Sequence, residues 1–215
     1  MPKATDRAAT DGVVLIASAF RYEVDFQNFK GDNRVRILLT GVGKQRARSR
    51  VRRALSEGGV KLVVSAGFSG GARVGLKAGD LIMASEVYDT ESQRRWVPSA
   101  LPSRLKARAA VGNFVTADRV VSDPREKEEL GRKFNALGVD METSAVAETA
   151  DSFGVPWIAL RVILDPVESR LKVTSVFQAL KMFVLPARRR EFFQFMGSVR
   201  RASGSLSDGI KFLVS

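Results

Sequence analysis

Five short segments of this chain are apolar or nearly so, with Arg36, Asp80 and Arg161 as the charged exceptions: Val13–Ser18 (VVLIAS), which is continuous, Val35–Thr40 (VRILLT), Leu62–Ala66 (LVVSA), Asp80–Ser85 (DLIMAS) and Pro156–Leu164 (PWIALRVIL). An unbroken apolar run of this length suits a strand covered on both faces, where an alternating run would leave one face to water. Ala109–Thr116 and Val139–Glu142 read as two further strands. Helical patterns lie between them. KQRARSRVRRALSEGG sets Ala47, Val51, Ala54 and Leu55 on one face and ends at Gly58-Gly59. Asp123-Pro124 opens a helix through REKEELGRKFNAL, with proline in its first turn. Ala145, Val146, Thr149, Ala150 and Phe153 form the packing face of a third, closed by Gly154. Phe20 and Val24 also show helical spacing. Strands that alternate with helices predict an α/β fold of three αβα layers around a central mixed sheet. Residues 1–12 (MPKATDRAATDG) read as a flexible polar arm, and residues 13–215 as one domain with a basic, helical C-terminal region. Glu86–Lys106, with two prolines and several charges, reads as an irregular surface loop able to act as a lid.

Composition narrows the chemistry. The chain has no histidine and no cysteine. Ser–His–Asp and Cys–His catalysis, disulfides and the usual zinc sites are therefore excluded. Carboxylates, Arg and Lys, hydroxyls and backbone groups must do any work, and no metal or organic cofactor is expected. The lack of cysteine fits a reducing compartment, and no apolar run approaches the ~20 residues that span a bilayer. A soluble, cytoplasmic protein is the expectation. Lys and Arg exceed Asp and Glu by 35 − 23, a formal charge of +12. Such a field can serve an anionic substrate, an anionic membrane surface or nucleic acid. No nucleic-acid module is visible, so nucleic acid is not an expected partner.

In open α/β sheets, sites lie at the carboxyl ends of strands. That rule selects Glu23, the glycine-rich Gly67-Phe68-Ser69-Gly70-Gly71, Met141-Glu142, Arg161 and Asp165. Arg161 interrupts a run otherwise fit for the core. A buried cation needs a partner, so it faces either a carboxylate that fixes the sheet or a ligand anion. Asp165 sits where the same strand opens to solvent, a place for a general acid.

These residues also carry a resemblance. GVDMETSAVAETADSFGVPWIALRVILD resembles the signature of the nucleoside phosphorylase/nucleosidase superfamily: Met141-Glu142 opening a helix, then a strand bearing Arg161 and Asp165. GFSGGARVGLKAGDLIMAS is similar to that family's glycine loop and following strand. ASAFRYEV aligns Glu23 with the acidic residue of the methylthioadenosine/S-adenosylhomocysteine nucleosidases. ADRVVSDPREK, Asp165-Pro166 and LPARRREFF bring it closer to the hopanoid-associated nucleoside phosphorylases, which act on an adenosyl-hopane lipid.

The resemblance implies cleavage of the N-glycosidic bond of an adenosine-type nucleoside. Phosphorolysis is the first expectation, with phosphate as co-substrate, and hydrolysis the alternative. Asp165 would serve N7 of the leaving base, Glu142 the ribose hydroxyls and Met141 the sugar face. Glu23 and Arg161 would position the attacking water in a nucleosidase. Arg161, Ser69, Gly70 and Arg21 or Arg119 would hold phosphate in a phosphorylase. Two departures stand out: Phe68 occupies a place usually held by a small hydroxyl residue, and Val120 stands where a purine-stacking aromatic is expected. Trp96 is one substitute ring; Trp157 reads as core. The family further implies a homo-oligomer, a dimer foremost. The aromatic and basic C-terminal region (Phe183, Phe192, Phe193, Phe195, Met196 among Arg188–Arg190) suits either sheet packing or peripheral contact with an anionic membrane.

Overall fold

The computed structural model describes residues 12–99, 101–168 and 189–214. Eight strands form one mixed sheet: β1 (Val13–Ser18), β2 (Val35–Leu39), β3 (Val60–Gly71), β4 (Leu81–Asp89), β5 (Arg95–Trp96), β6 (Ala110–Thr116), β7 (Ala136–Asp140) and β8 (Trp157–Asp165). The order is β2-β1-β3-β7-β6-β4-β5, with β8 between β3 and β4. The pairings β3-β7-β6-β4-β8-β3 therefore close on themselves. Closure depends on β3. Its body runs parallel to β8 from Val63 to Gly70, while its tip, Gly70-Gly71, turns across to pair antiparallel with β7.

Helices cover both faces. Leu15 and Ala17 of β1 join α1 (Lys44–Ser56) and α4 (Thr143–Ser152) in one core, with Trp157 and Phe114. Val14 and Ile16 point the other way, toward Leu105 of α2 (Ser103–Lys106) and Leu206 and Ile210 of α5 (Arg189–Val214). Successive strand residues alternate between faces, so continuously apolar strands need both layers. The predicted α1 face of Ala47, Val51, Ala54 and Leu55 is the buried one. No helix among the described residues is long and apolar enough to cross a membrane.

α3 (Pro124–Phe134) matches its sequence signals. Asp123 caps it by accepting from the Arg125 N–H, and Asn135 stops it in the left-handed region at φ 48. It docks unusually close to β3: a Cβ on Gly131 would collide with the carbonyl of Ala72.

Several expectations are corrected. The glycine-rich segment 67–71 is the end of β3 rather than a loop. The 86–106 segment is not irregular throughout. β4 continues to Asp89, β5 pairs back on it, and α2 closes the stretch. The charges of EVYD hid a strand whose Val87 and Asp89 are buried. Phe20–Glu23 forms turns, followed by a short 3-10 helix, Phe26–Phe29. Phe153 lies beyond α4 at 40% exposure and does not join its packing face. Residues 1–11, Phe183 and the side chains of Phe192, Phe193, Phe195 and Met196 lie outside the described residues.

Candidate functional site

The centre of the site is Arg161, halfway along β8 and 2% exposed. Its Nε donates to Asp140 Oδ2 at 2.9 Å and its Nη2 lies 2.7 Å from the same oxygen. Nη1 donates to the carbonyls of Ser65 and Leu160, and Nη2 to Ser65 Oγ and to Thr143 Oγ1 at 2.6 Å. A guanidinium has five N–H donors, and here protein acceptors meet every nitrogen. Of the two roles open from sequence, the geometry matches the internal ion pair.

Asp140, its partner, ends β7. It accepts from Thr116 Oγ1 at 2.9 Å, from Thr143 Oγ1 and from the Thr143 N–H at 3.3 Å. Sequence reading passed over it as the end of a strand. The signal was there: two acids two residues apart, at a strand-to-helix junction, opposite a buried arginine.

Glu23 is 5% exposed and held by three donors: Ser18 Oγ at 2.8 Å, Phe20 N–H at 2.9 Å and Phe68 N–H at 3.0 Å. Gly67 makes room for it, since a Cβ there would stand 2.7 Å from Oε1. Burial pushes the Glu23 carboxyl above the ordinary glutamate value, against the pull of its backbone donors and of Arg161. Glu142, half-buried at the start of α4, accepts from the Gly43 N–H at 2.8 Å. Burial first, then the charges of Asp140 and Glu23, push it up to about 8. Glu23, Glu142 and Arg161, distant in sequence, are thus electrostatic neighbours with Asp140. Three carboxylates face one guanidinium.

A stability test follows from Glu142. The folded protein retains a proton that the unfolded chain releases above about 4.5. Its contribution is full below that pH and is lost as pH rises toward about 8. Thermal melts from pH 5 to 9 are expected to show a wild-type decline that Glu142→Gln flattens, with the variant roughly 5 °C higher at pH 9. Parallel curves would refute the buried, protonated carboxyl.

Asp165 sits apart from this cluster, at the far end of β8 opposite Gly70. Its Oδ2 meets Lys127 Nζ of α3 at 2.7 Å, and its Oδ1 is buried without a hydrogen-bond partner among the described residues. Lys127 is 0% exposed and was not selected from sequence. A lysine on the apolar face of an otherwise solvated, charged helix was the available signal. Met141 is half-buried beside Glu142, and Phe68 packs on the α5 side of the sheet. Ser69 Oγ is buried and without a hydrogen-bond partner among the described residues, near Gly138. Arg21 and Val120 are exposed, and Arg119 is paired with Glu126. Trp157 is core, its Nε1 donating to Asp151.

A cavity of about 570 Å³ is lined by Gly43, Lys44, Asp89, Trp96, Asp118 and Ser144, among others, and by none of Glu23, Asp140, Glu142, Arg161 and Asp165; its link to the cluster is the Gly43 N–H on Glu142. Lys44 Nζ lies 2.5 Å from Asp118, 3.0 Å from Asp89 and 3.0 Å from Glu91. Burial pulls this ammonium down, but Asp118, Glu91 and Asp89 outweigh it and hold it above the usual lysine value. Burial likewise raises Asp89, yet Ser144, the Ser92 N–H and Lys44 bring it down to about 2. This hub fastens the Gly43 turn, and so the N–H on Glu142, to β4. No group of three or more side chains suited to a metal ion occurs among the described residues.

Similar proteins share this architecture. A nucleosidase for 5′-methylthioadenosine and S-adenosylhomocysteine from Exiguobacterium sp. is 23% identical over 198 residues, covering 77% of this chain and 85% of that protein. A DeoD-type purine nucleoside phosphorylase of Buchnera aphidicola is 20% identical, covering 72% and 74%. Among solved structures, the Helicobacter pylori 5′-methylthioadenosine/S-adenosylhomocysteine nucleosidase with butyl-thio-DADMe-Immucillin-A superposes at TM-score 0.75 and 19% identity, covering 95% of this chain and 98% of that one. Futalosine hydrolase of H. pylori superposes at 0.73 and 19% identity, covering 95% and 97%. The phosphorylase superfamily model matches residues 19–185. With that match spanning most of its length, the chain belongs to the phosphorylase superfamily.

Proposed function

We propose that this protein cleaves the N-glycosidic bond of an adenosine-type nucleoside, with water as the attacking group. Glu23 takes a proton from the water, Glu142 holds the ribose hydroxyls, and Asp165 gives a proton to N7 of the leaving base. Arg161 acts as a positioning residue that fixes Asp140 and the start of α4. The bond electrons of C1′–N9 pass to the base, and the positive charge that develops on the ribose is offset by Glu23 in the ionised form that accepts the proton of the water.

The observation that carries the choice of water is Glu23. A buried carboxyl occupies the centre, and the guanidinium beside it, the one buried arginine among the described residues, has its donors occupied by protein. A phosphate dianion entering there would meet acidic side chains and no unoccupied arginine among the buried groups described. The nucleosidase relatives agree with this reading. Phosphorolysis has support in the DeoD-type relatives and in the unpartnered Ser69 Oγ.

The deciding assay measures adenine release with and without phosphate. Methylthioadenosine, S-adenosylhomocysteine and an adenosyl-hopane in mixed vesicles are the substrates. Release at equal rates in both conditions is expected. Strict dependence on phosphate would replace hydrolysis by phosphorolysis. The vesicle arm tests the lipid-linked substrate and the membrane contact that the resemblance to the hopanoid-associated phosphorylases implies.

A further inference from the structure

The Lys127–Asp165 contact has a chemistry that the reading above does not use. Lys127 is a fully buried cation seated by deliberate close packing. α3 can approach β3 only because residue 131 is glycine. The aliphatic stem then passes Gly70, where a Cβ would stand 3.2 Å from Lys127 Cδ. The ammonium ends among three acceptors: Asp165 Oδ2 at 2.7 Å, the Asp165 carbonyl at 3.2 Å and the Pro166 carbonyl at 3.2 Å. An ammonium has three N–H donors and no acceptor, so its hydrogen bonding is complete. Burying such a charge is costly without a purpose-built partner.

This geometry distinguishes the two oxygens of Asp165. Oδ2 accepts from an N–H and has no room for a proton directed at Nζ. A proton carried by Asp165 therefore resides on Oδ1, the oxygen without a partner among the described residues. We propose that Lys127 is the positioning residue of Asp165: it confines the transferable proton to Oδ1 and stabilises the carboxylate charge left when that proton moves to the purine. In the step, the Oδ1–H bond breaks and an N7–H bond forms. The C1′–N9 electron pair enters the base, and water supplies the new bond to C1′. The ammonium does not give up a proton. It offsets charge where charge develops, which lowers the barrier more than it strengthens binding. The inference rests on Asp165 facing the leaving base.

The experiment compares two leaving groups. Adenine from methylthioadenosine needs a proton; 4-nitrophenolate from 4-nitrophenyl β-D-ribofuranoside leaves without one. Lys127→Met is expected to lower kcat on methylthioadenosine at least about 30-fold, with KM within about threefold. Nitrophenolate release should change less than about threefold. Asp165→Asn should show the same selectivity, and adding Lys127→Met to it should slow adenine release no further. Equal losses on both substrates, near-normal adenine release, or additive losses in the double variant would overturn the proposal. If Lys127→Met does not fold, Lys127→Arg decides by the same comparison: a loss confined to adenine release supports it, and equal losses overturn it. Normal turnover by Asp165→Asn would instead remove the role of Asp165 on which the inference rests.

Discussion

Arg161→Met is expected to destabilise the protein by about 3–5 kcal/mol, the scale of breaking one half of a buried ion pair. Methionine fills a similar volume, so lost packing contributes little. The cost comes from Asp140, buried at 6% exposure and left without its cation. Ser65 and Thr143 lose a donor at the same time. Urea denaturation at pH 7.5 measures the loss directly. A companion variant identifies its cause. Adding Asp140→Asn removes the orphaned charge but keeps an acceptor for Thr116 and Thr143, and should recover about half of the stability. If the double variant is no more stable than the single one, the charge is not what the arginine compensates.

Asp165→Asn is expected to lower turnover at least about 100-fold, as removal of a general acid does. The amide keeps the shape of the side chain and an oxygen for Lys127 but removes the counter-charge of a buried ammonium, so the unfolding midpoint should fall as well. A loss of rate measured well below that lowered midpoint, where the variant is folded, assigns Asp165 to the chemistry. Turnover within a few-fold of wild type would refute the assignment. The two variants separate two proposed roles: one removes a structural cation, the other the proposed general acid.

The strands and the main helices were legible because they bury whole faces. Leu15 and Ile16 must both be apolar when helices lie on either side of β1, and that leaves an unbroken run in the sequence. Segment 86–106 was misread for the opposite reason. Asp89 is buried yet polar, satisfied by Lys44 and Ser144 from elsewhere in the fold, and no local pattern announces such partners. The same holds at the site. Glu23, Glu142, Arg161 and Asp165 were each visible as a polar residue at a strand end or in an apolar run. Their pairings were not. Asp140 takes Arg161 because β7 is brought into the closed sheet through the tip of β3, and Lys127 takes Asp165 because α3 docks there. Both are consequences of long-range topology. Arg21 and Val120 came from the family resemblance rather than from a physical demand, and both are exposed.

The closeness of Gly67 to Glu23 makes residue 67 a silent gate on descent. A single methyl there would stand 2.7 Å from Oε1, so the carboxyl would have to shift against its donors while every charged group stayed in the gene. A neutral substitution at this position can thus disturb the placement of an acid as surely as a change of the acid itself.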